Sequence, residues 1–221
     1  MVNVRAKVIV AIGLVLIISV ASFLVYQNIA NSVASPPDLS RVACVGDSLT
    51  EISTYVRDLQ NLLGNNSVVG NFGASGTTVT LSPIDPYLYR TQSDLAVAFQ
   101  PTTVVILLGT NDARGDVFGY IDSFVEDYKV LISKYQSLES NPQIYLALPP
   151  PVYENNINIS NSALSDVIIP KIQQVASDLG LPVIDVYSPM LGHPEYFVDG
   201  VHPNYEGASV IAETIYQQIT S

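Results

Sequence analysis

From residue 41 onward, short and nearly continuous apolar runs alternate with longer stretches whose apolar residues recur every three or four positions. The runs are Arg41–Gly46, Ser67–Phe72, Thr103–Leu108, Gln143–Leu148 and Pro182–Tyr187. Unbroken apolar runs of this length suit strands covered on both faces, as in a parallel sheet. Between them, Thr50–Leu63 is expected to form the first helix. The residues Tyr120, Phe124, Tyr128, Leu131, Ile132 and Tyr135 form a helical stripe. So do Leu164, Ile168, Ile172, Val175 and Leu179, with Pro170 expected to kink that helix. A last stripe runs through Ala208, Ile211, Ile215 and Ile219. The alternation predicts a three-layer α/β/α sandwich around a parallel sheet of about five strands. In open α/β sheets, ligands bind beyond the carboxyl ends of the strands. That rule directs attention to Gly46–Thr50, Phe72–Gly76, Gly109–Asp112, Pro149–Pro151 and the loop before the last helix.

The beginning of the chain has a different pattern. Val8–Val25 is 18 residues without a charge, preceded by Arg5 and Lys7. A spanning helix needs about 20 apolar residues, with about 17 as the lower limit, whereas a signal-peptide core has about 7–15. The run leans towards an uncleaved anchor, and Ser32-Val33-Ala34 offers small residues for a signal peptidase if the segment is removed. The division expected is 1–27 as a hydrophobic anchor helix or signal peptide, 28–40 as a linker containing Pro36-Pro37, and 41–221 as one folded domain. Basic residues before the apolar run keep the N-terminus inside, so the domain is expected on the outer face of the membrane or secreted. The sequons Asn65-Asn66-Ser67 and Asn158-Ile159-Ser160 are compatible with export, although such triplets are common by chance.

Charge narrows the partners. The 221-residue chain carries 9 Lys and Arg against 20 Asp and Glu, a formal net charge of −11. Such a domain repels phosphate backbones, so nucleic acid is not expected as a partner. The single cysteine, Cys44, excludes an intramolecular disulfide and lies in an apolar run, where it reads as a small buried hydrophobe. Two histidines and no Cys/His cluster leave nothing that resembles a zinc site, and neither a metal nor another cofactor is expected.

The chemistry-bearing residues lie at the predicted strand ends. Ser48 follows the first strand and opens a helix, where free N–H groups and the helix dipole favour an anion. It reads equally as a helix cap. A nucleophilic serine needs a base, and Asp199-Gly200-Val201-His202-Pro203-Asn204 offers one. A tight turn can bring the Asp199 carboxylate to the His202 ring and leave the other ring nitrogen for Ser48. The same composition also suits an ordinary surface turn. Gly73 and Asn111 are candidate donors to an oxyanion, with turn roles as the plain alternative. His193 has Met190, not an acid, three residues before it. It reads as a loop residue at the rim of the site.

Taken together, Gly46-Asp47-Ser48-Leu49, Gly73, Gly109-Thr110-Asn111-Asp112 and Asp199-x-x-His202-Pro203 resemble the SGNH/GDSL hydrolase family over residues 41–219. The resemblance implies a flavodoxin-like hydrolase fold and a serine esterase. It implies Ser48, Asp199 and His202 as the catalytic triad, with Ser48, Gly73 and Asn111 as the oxyanion hole. Asn71–Gly76, Leu148–Tyr153 and Gly192–Glu195 further resemble the carbohydrate or sialate O-acetylesterase branch of that family. A small-molecule or glycan ester, most simply an acetyl ester, is then the expected substrate. A lysophospholipase or thioesterase, or a catalytically silent surface binding module, stands as the alternative. Tyr87, Tyr89 and Tyr153 lie in the two longer connections, where their rings can stack on a sugar or pack on the core.

Overall fold

The computed structural model describes residues 39–81 and 84–221; the expected anchor helix or signal peptide at 1–27 and nearly all of the 28–40 linker lie outside them. Five strands form one parallel sheet in the order β2-β1-β3-β4-β5: β1 (Ser40–Gly46), β2 (Ser67–Gly73), β3 (Thr103–Leu107), β4 (Gln143–Leu148) and β5 (Val183–Asp185). The apolar runs occupy these strands because the middle of the sheet is dry. Val42–Val45, Val104–Leu107 and Ile144–Leu148 are all buried. β2 and β5 are the edge strands, and the side chains of β2 are mostly only partly covered.

Six helices matter for the site: α1 (Ser48–Glu51), α2 (Tyr55–Leu63), α3 (Thr91–Ala98), α4 (Phe124–Gln136), α5 (Ile169–Leu179) and α6 (Tyr205–Ile219). α2 packs with α6 and α4 with α5, so the sheet has helical company from two pairs. The chain order departs from β1 to β2 on one side and to β3 on the other. β1 and β3 therefore flank the switch point of the sheet, where open α/β folds place their ligands. Gly46 pairs in register with Gly73 on one side and Leu107 on the other, so the three following loops leave the sheet at one level.

Three local departures from the expected pattern have physical causes. The helix expected over Thr50–Leu63 is broken at Ile52–Thr54. There the Ser53 Oγ accepts from the Tyr55 N–H, and the Thr54 hydroxyl donates to Asp58, the local side-chain bonding that competes with helix. Instead of a kink at Pro170, the chain forms a π turn over Leu164–Ile168 and starts α5 at Ile169. Proline in the first turn of a helix loses no hydrogen bond. Helix α3 has no counterpart in the expected elements, because Leu95-Ala96-Val97-Ala98 is contiguous and lacks a three-four spacing.

Candidate active site

The nucleophile segment is built by one buried carboxylate. Asp47 caps α1: its Oδ1 accepts from the Leu49 N–H at 2.9 Å, and its carbonyl accepts from the N–H groups of Thr50 and Glu51. This turns the chain sharply out of β1 and leaves Ser48 partly exposed at the strand end. The Ser48 N–H has no partner among the described residues, as expected for the first residue of a helix.

The Ser48 Oγ lies 2.9 Å from the Nε2 of His202. The Nδ1 of His202 lies 2.7 Å from Asp199 Oδ2, and Asp199 Oδ1 accepts from the N–H groups of His202 at 2.7 Å and Val201 at 3.0 Å. Partial burial by itself would raise the Asp199 carboxyl. The hydrogen bonds from the His202 N–H, the His202 ring and the Val201 N–H outweigh it and hold the group below the usual carboxylate range. An ionised Asp199 only accepts, so Nδ1 carries the proton and Nε2 is left to accept from the Ser48 hydroxyl. The loop is held in shape by a bridge between Phe197 and Pro203 and by the bond from the Val198 N–H to the His202 carbonyl at 2.9 Å.

The oxyanion candidates are placed less evenly. Asn111 opens the turn after β3 and is buried, with its Nδ2 donating to Thr77 O at 3.0 Å and to Asp47 Oδ2 at 3.3 Å. Gly73 does not present a free donor. Its N–H goes to Asn71 Oδ1 at 2.9 Å, and a Cβ at this position would lie 2.2 Å from the Glu51 backbone nitrogen. Gly73 is glycine because β2 and α1 touch there. The free donor is three residues on. Gly76 sits at φ +77°, and its N–H makes no hydrogen bond among the described residues. Its turn is tied to the nucleophile segment by Ala74 N–H to Gly46 O and Ser75 N–H to Glu51 Oε2, and to Asn111 through Thr77 O. The Gly-x-x-Gly spacing of 73 and 76 marks both positions as candidates, and only the backbone conformation separates them.

A second buried acid stands beside Asp47. Asp112 accepts from the N–H groups of Val79 and Thr80, both at 2.9 Å, which fastens the Thr77–Thr80 segment under Asn111. Burial pushes the Asp47 carboxyl up to about 7 and the Asp112 carboxyl up to about 6, with the charge of Asp112 adding to the rise at Asp47. Sequence patterns give no sign of this pair beyond their presence in the two motif blocks. Cys44 is buried as expected, and burial pushes its thiol up to about 12, so it is not a thiolate.

Two of the three tyrosines expected at the substrate side make contacts within the protein instead. Tyr87 is fully buried, and its hydroxyl donates to the Phe72 carbonyl. Tyr153 braces the triad loop: its hydroxyl donates to the Met190 carbonyl and accepts from the His193 N–H, and its ring packs on Phe197. Tyr89 is exposed, but none of the clefts at the triad loop includes it. His193 lies near the rim, bonded through Nδ1 to Glu195 at 2.8 Å and stacked on Tyr196. Two clefts flank the triad loop. One of about 620 Å³ is lined by Glu154–Ile157 and Val198–Gly200, and the other of about 240 Å³ by Ile52–Thr54, Val198 and Pro203–Tyr205. Among the described residues, no group of His, Cys, Asp and Glu is arranged to hold a metal ion.

Comparison with known proteins places this geometry. An acetylxylan esterase of Xylanibacter ruminicola is 33% identical over an alignment 219 positions long that takes in 86% of this chain and 46% of that protein, so the chain spans about half the length of that relative. The fold is shared with a lipase/acylhydrolase from Enterococcus faecalis (TM-score 0.67, 24% identity, 82% of this chain and 95% of that one). It is also shared with a carbohydrate acetylesterase family member from Sinorhizobium meliloti (TM-score 0.63, 20% identity, 82% and 97%). The GDSL-like Lipase/Acylhydrolase family matches residues 44–210, from β1 into α6, and the chain belongs to that family.

Proposed function

We propose that this protein is a serine esterase that removes acetyl groups from carbohydrates. The observation that carries the reading is the hydrogen-bonded chain Ser48–His202–Asp199, at 2.9 and 2.7 Å. His202 Nε2 takes the Ser48 proton as Oγ bonds to the acetyl carbon. The negative charge that develops on the carbonyl oxygen faces the N–H groups of Ser48 and Gly76 and the amide of Asn111. As the C–O bond to the sugar breaks, Nε2 returns the proton to the departing oxygen. Water then attacks the acetyl-enzyme with His202 again as base, releasing acetate and restoring the Ser48 hydroxyl. For Asn111 to join, one of its two N–H groups must turn from its present partner, and the longer bond, to Asp47, is the one more easily given up.

The acetylxylan esterase relative makes acetylated xylan the first substrate to try. The full chain should release acetate from it, and the Ser48→Ala protein should not. A folded wild-type protein that releases no acetate from any acetylated glycan would exclude the reading. As part of the same proposal, residues 1–27 hold the domain at the outer face of a membrane. Protease added to intact cells should then degrade it. Among the described residues no helix is long and apolar enough to cross a membrane.

A further inference from the structure

We propose that the cleft of Ile52, Val198 and Tyr205 binds the sugar ring from which the acetyl group is removed, and that this ring is uncharged. The proposal rests on the carbohydrate-ester reading above and specifies where the alcohol half of the ester lies.

Proton transfer decides the side. The departing oxygen must receive its proton from His202 Nε2, so the alcohol half has to lie on the imidazole side of Ser48. The carbonyl oxygen lies on the opposite side, towards Gly76 and Asn111. The 240 Å³ cleft is lined by the segments that follow each half of the machinery in the chain, Ile52–Thr54 after Ser48 and Pro203–Tyr205 after His202. Its first wall, Ile52–Thr54, is where α1 breaks off one turn after the nucleophile, and the Ile52 N–H bonds the Ser48 carbonyl at 3.0 Å. Its second wall follows His202 directly: Pro203, Asn204 and Tyr205, with Val198 held across the loop by its bond to the His202 carbonyl.

The surface of this cleft is unusual for an exposed site. Ile52 is 61% exposed, Val198 69% and Tyr205 75%, and these are three of the twelve large hydrophobic residues exposed among the described ones. Among the described residues the Tyr205 hydroxyl has no hydrogen-bond partner, and its ring is exposed. An exposed aromatic face beside two aliphatic side chains suits the C–H face of a pyranose ring, whose removal from water is favourable. The ring hydroxyls remain at the edge, where the Ser53 hydroxyl still has its proton to donate.

Charge selects among sugars. The seven lining residues are Ile52, Ser53, Thr54, Val198, Pro203, Asn204 and Tyr205, and none is ionic at neutral pH. The neighbouring cleft beyond Val198 carries Glu154 and Asp199 and no basic side chain. An acidic sugar such as a sialic acid or a uronic acid would meet repulsion and no counter-charge. A neutral pentose or hexose meets neither.

The test is the ratio of catalytic efficiencies on acetylated methyl xyloside and on ethyl acetate, measured with the full chain. Ethyl acetate has the same acyl group but an alcohol too small to reach Tyr205. Tyr205→Ala should lower the ratio about tenfold, or about 1.4 kcal/mol, through KM on the sugar ester rather than through kcat. Tyr205→Phe should keep the wild-type ratio, because the ring and not the hydroxyl makes the contact. Tyr120→Ala, an exposed tyrosine in none of the three clefts, controls for surface truncation. An unchanged ratio in Tyr205→Ala, or an equal loss on both substrates, overturns the platform while leaving the esterase reading intact. A wild-type protein active on ethyl acetate but on no acetylated sugar overturns the carbohydrate reading and the platform with it.

Discussion

The two walls around Ser48 are built on opposite principles. The wall that carries Asn111 is buried: Asp47, Thr77, Thr78, Thr80, Asn111 and Asp112 are all shielded from water, and Asp47, Asn111 and Asp112 have their hydrogen bonds inside the protein. The wall that carries His202 is a surface loop in which the Asp199 side chain is half exposed and Val198 and Tyr205 face water. Buried dipoles fixed before the substrate arrives stabilise developing charge without reorganising. An exposed loop contributes little to charge stabilisation, but it can meet substrates of varied shape. Changes in the first wall should therefore appear in kcat, and changes at the rim of the second in KM.

Breaking the link between the walls gives the largest effect. Ser48→Ala removes the nucleophile, and a loss of several orders of magnitude in kcat is expected. Near-normal turnover of acetate esters by the folded variant would contradict it. Within the buried wall, Asn111→Ala should lower kcat about 100-fold with little change in KM. It also strands the Thr77 carbonyl and one Asp47 oxygen, so its melting temperature should be measured alongside. A fall in KM-based affinity with kcat preserved would move Asn111 from the chemistry to structure.

A smaller effect sharpens the comparison from the substrate's side. Each buried methylene adds about 0.8 kcal/mol where an apolar channel exists. Of the two clefts at the triad loop, the larger is lined mostly by polar or small residues, and the apolar patch of the smaller, Ile52, Val198 and Tyr205, is assigned above to the sugar ring rather than to the acyl chain. A third groove, about 460 Å³ along Ala113, Gly115, Phe118 and Ala163, is lined by neither the triad residues nor the segments next to them in the chain. p-Nitrophenyl acetate is therefore expected to exceed the octanoate in kcat/KM by about tenfold or more. Preference for octanoate would favour a lysophospholipase or thioesterase instead.

How far these features were legible from sequence depends on whether they are periodic. The strands β1, β3 and β4 are buried on both faces, and their apolar runs mark them within one residue. Asp199 and His202 are close in sequence, so their pairing follows from one turn. Gly76 and Gly73 cannot be separated by spacing, because the difference is a positive φ in one and a backbone contact in the other. Tyr87, Tyr89 and Tyr153 stood out only as aromatics in long connections. The exposed aromatic beside the triad, Tyr205, starts a helix and looked like part of it. Asp47 and Asp112 stand out through burial and backbone partners, which no periodicity in the sequence encodes.

That buried pair supports the last and smallest prediction. Burial raises the Asp47 and Asp112 carboxyls to about 7 and about 6, while in the unfolded chain each titrates near 4. Between those values the folded protein holds more protons than the unfolded one, so stability must fall as pH rises from about 4 to about 7 and then level off. Asp199 runs the other way, since its carboxyl is held low and its contribution is lost only as the solution becomes strongly acid. A thermal melt should therefore give a midpoint several degrees higher at pH 5 than at pH 8, about 2–4 °C for each kcal/mol in a domain of this size. Asp47→Asn removes one of the two groups and should narrow that difference. It also replaces an acceptor facing the Asn111 amide, or the one facing the Leu49 N–H, by an NH2, so kcat should fall by less than in Asn111→Ala. If Asp47→Asn melts with the same pH dependence as the wild type, the proton is not taken up at Asp47. The Asp47 carboxylate would then stay ionised with the Leu49 N–H and the Asn111 amide as its donors, and the pH dependence would belong to Asp112.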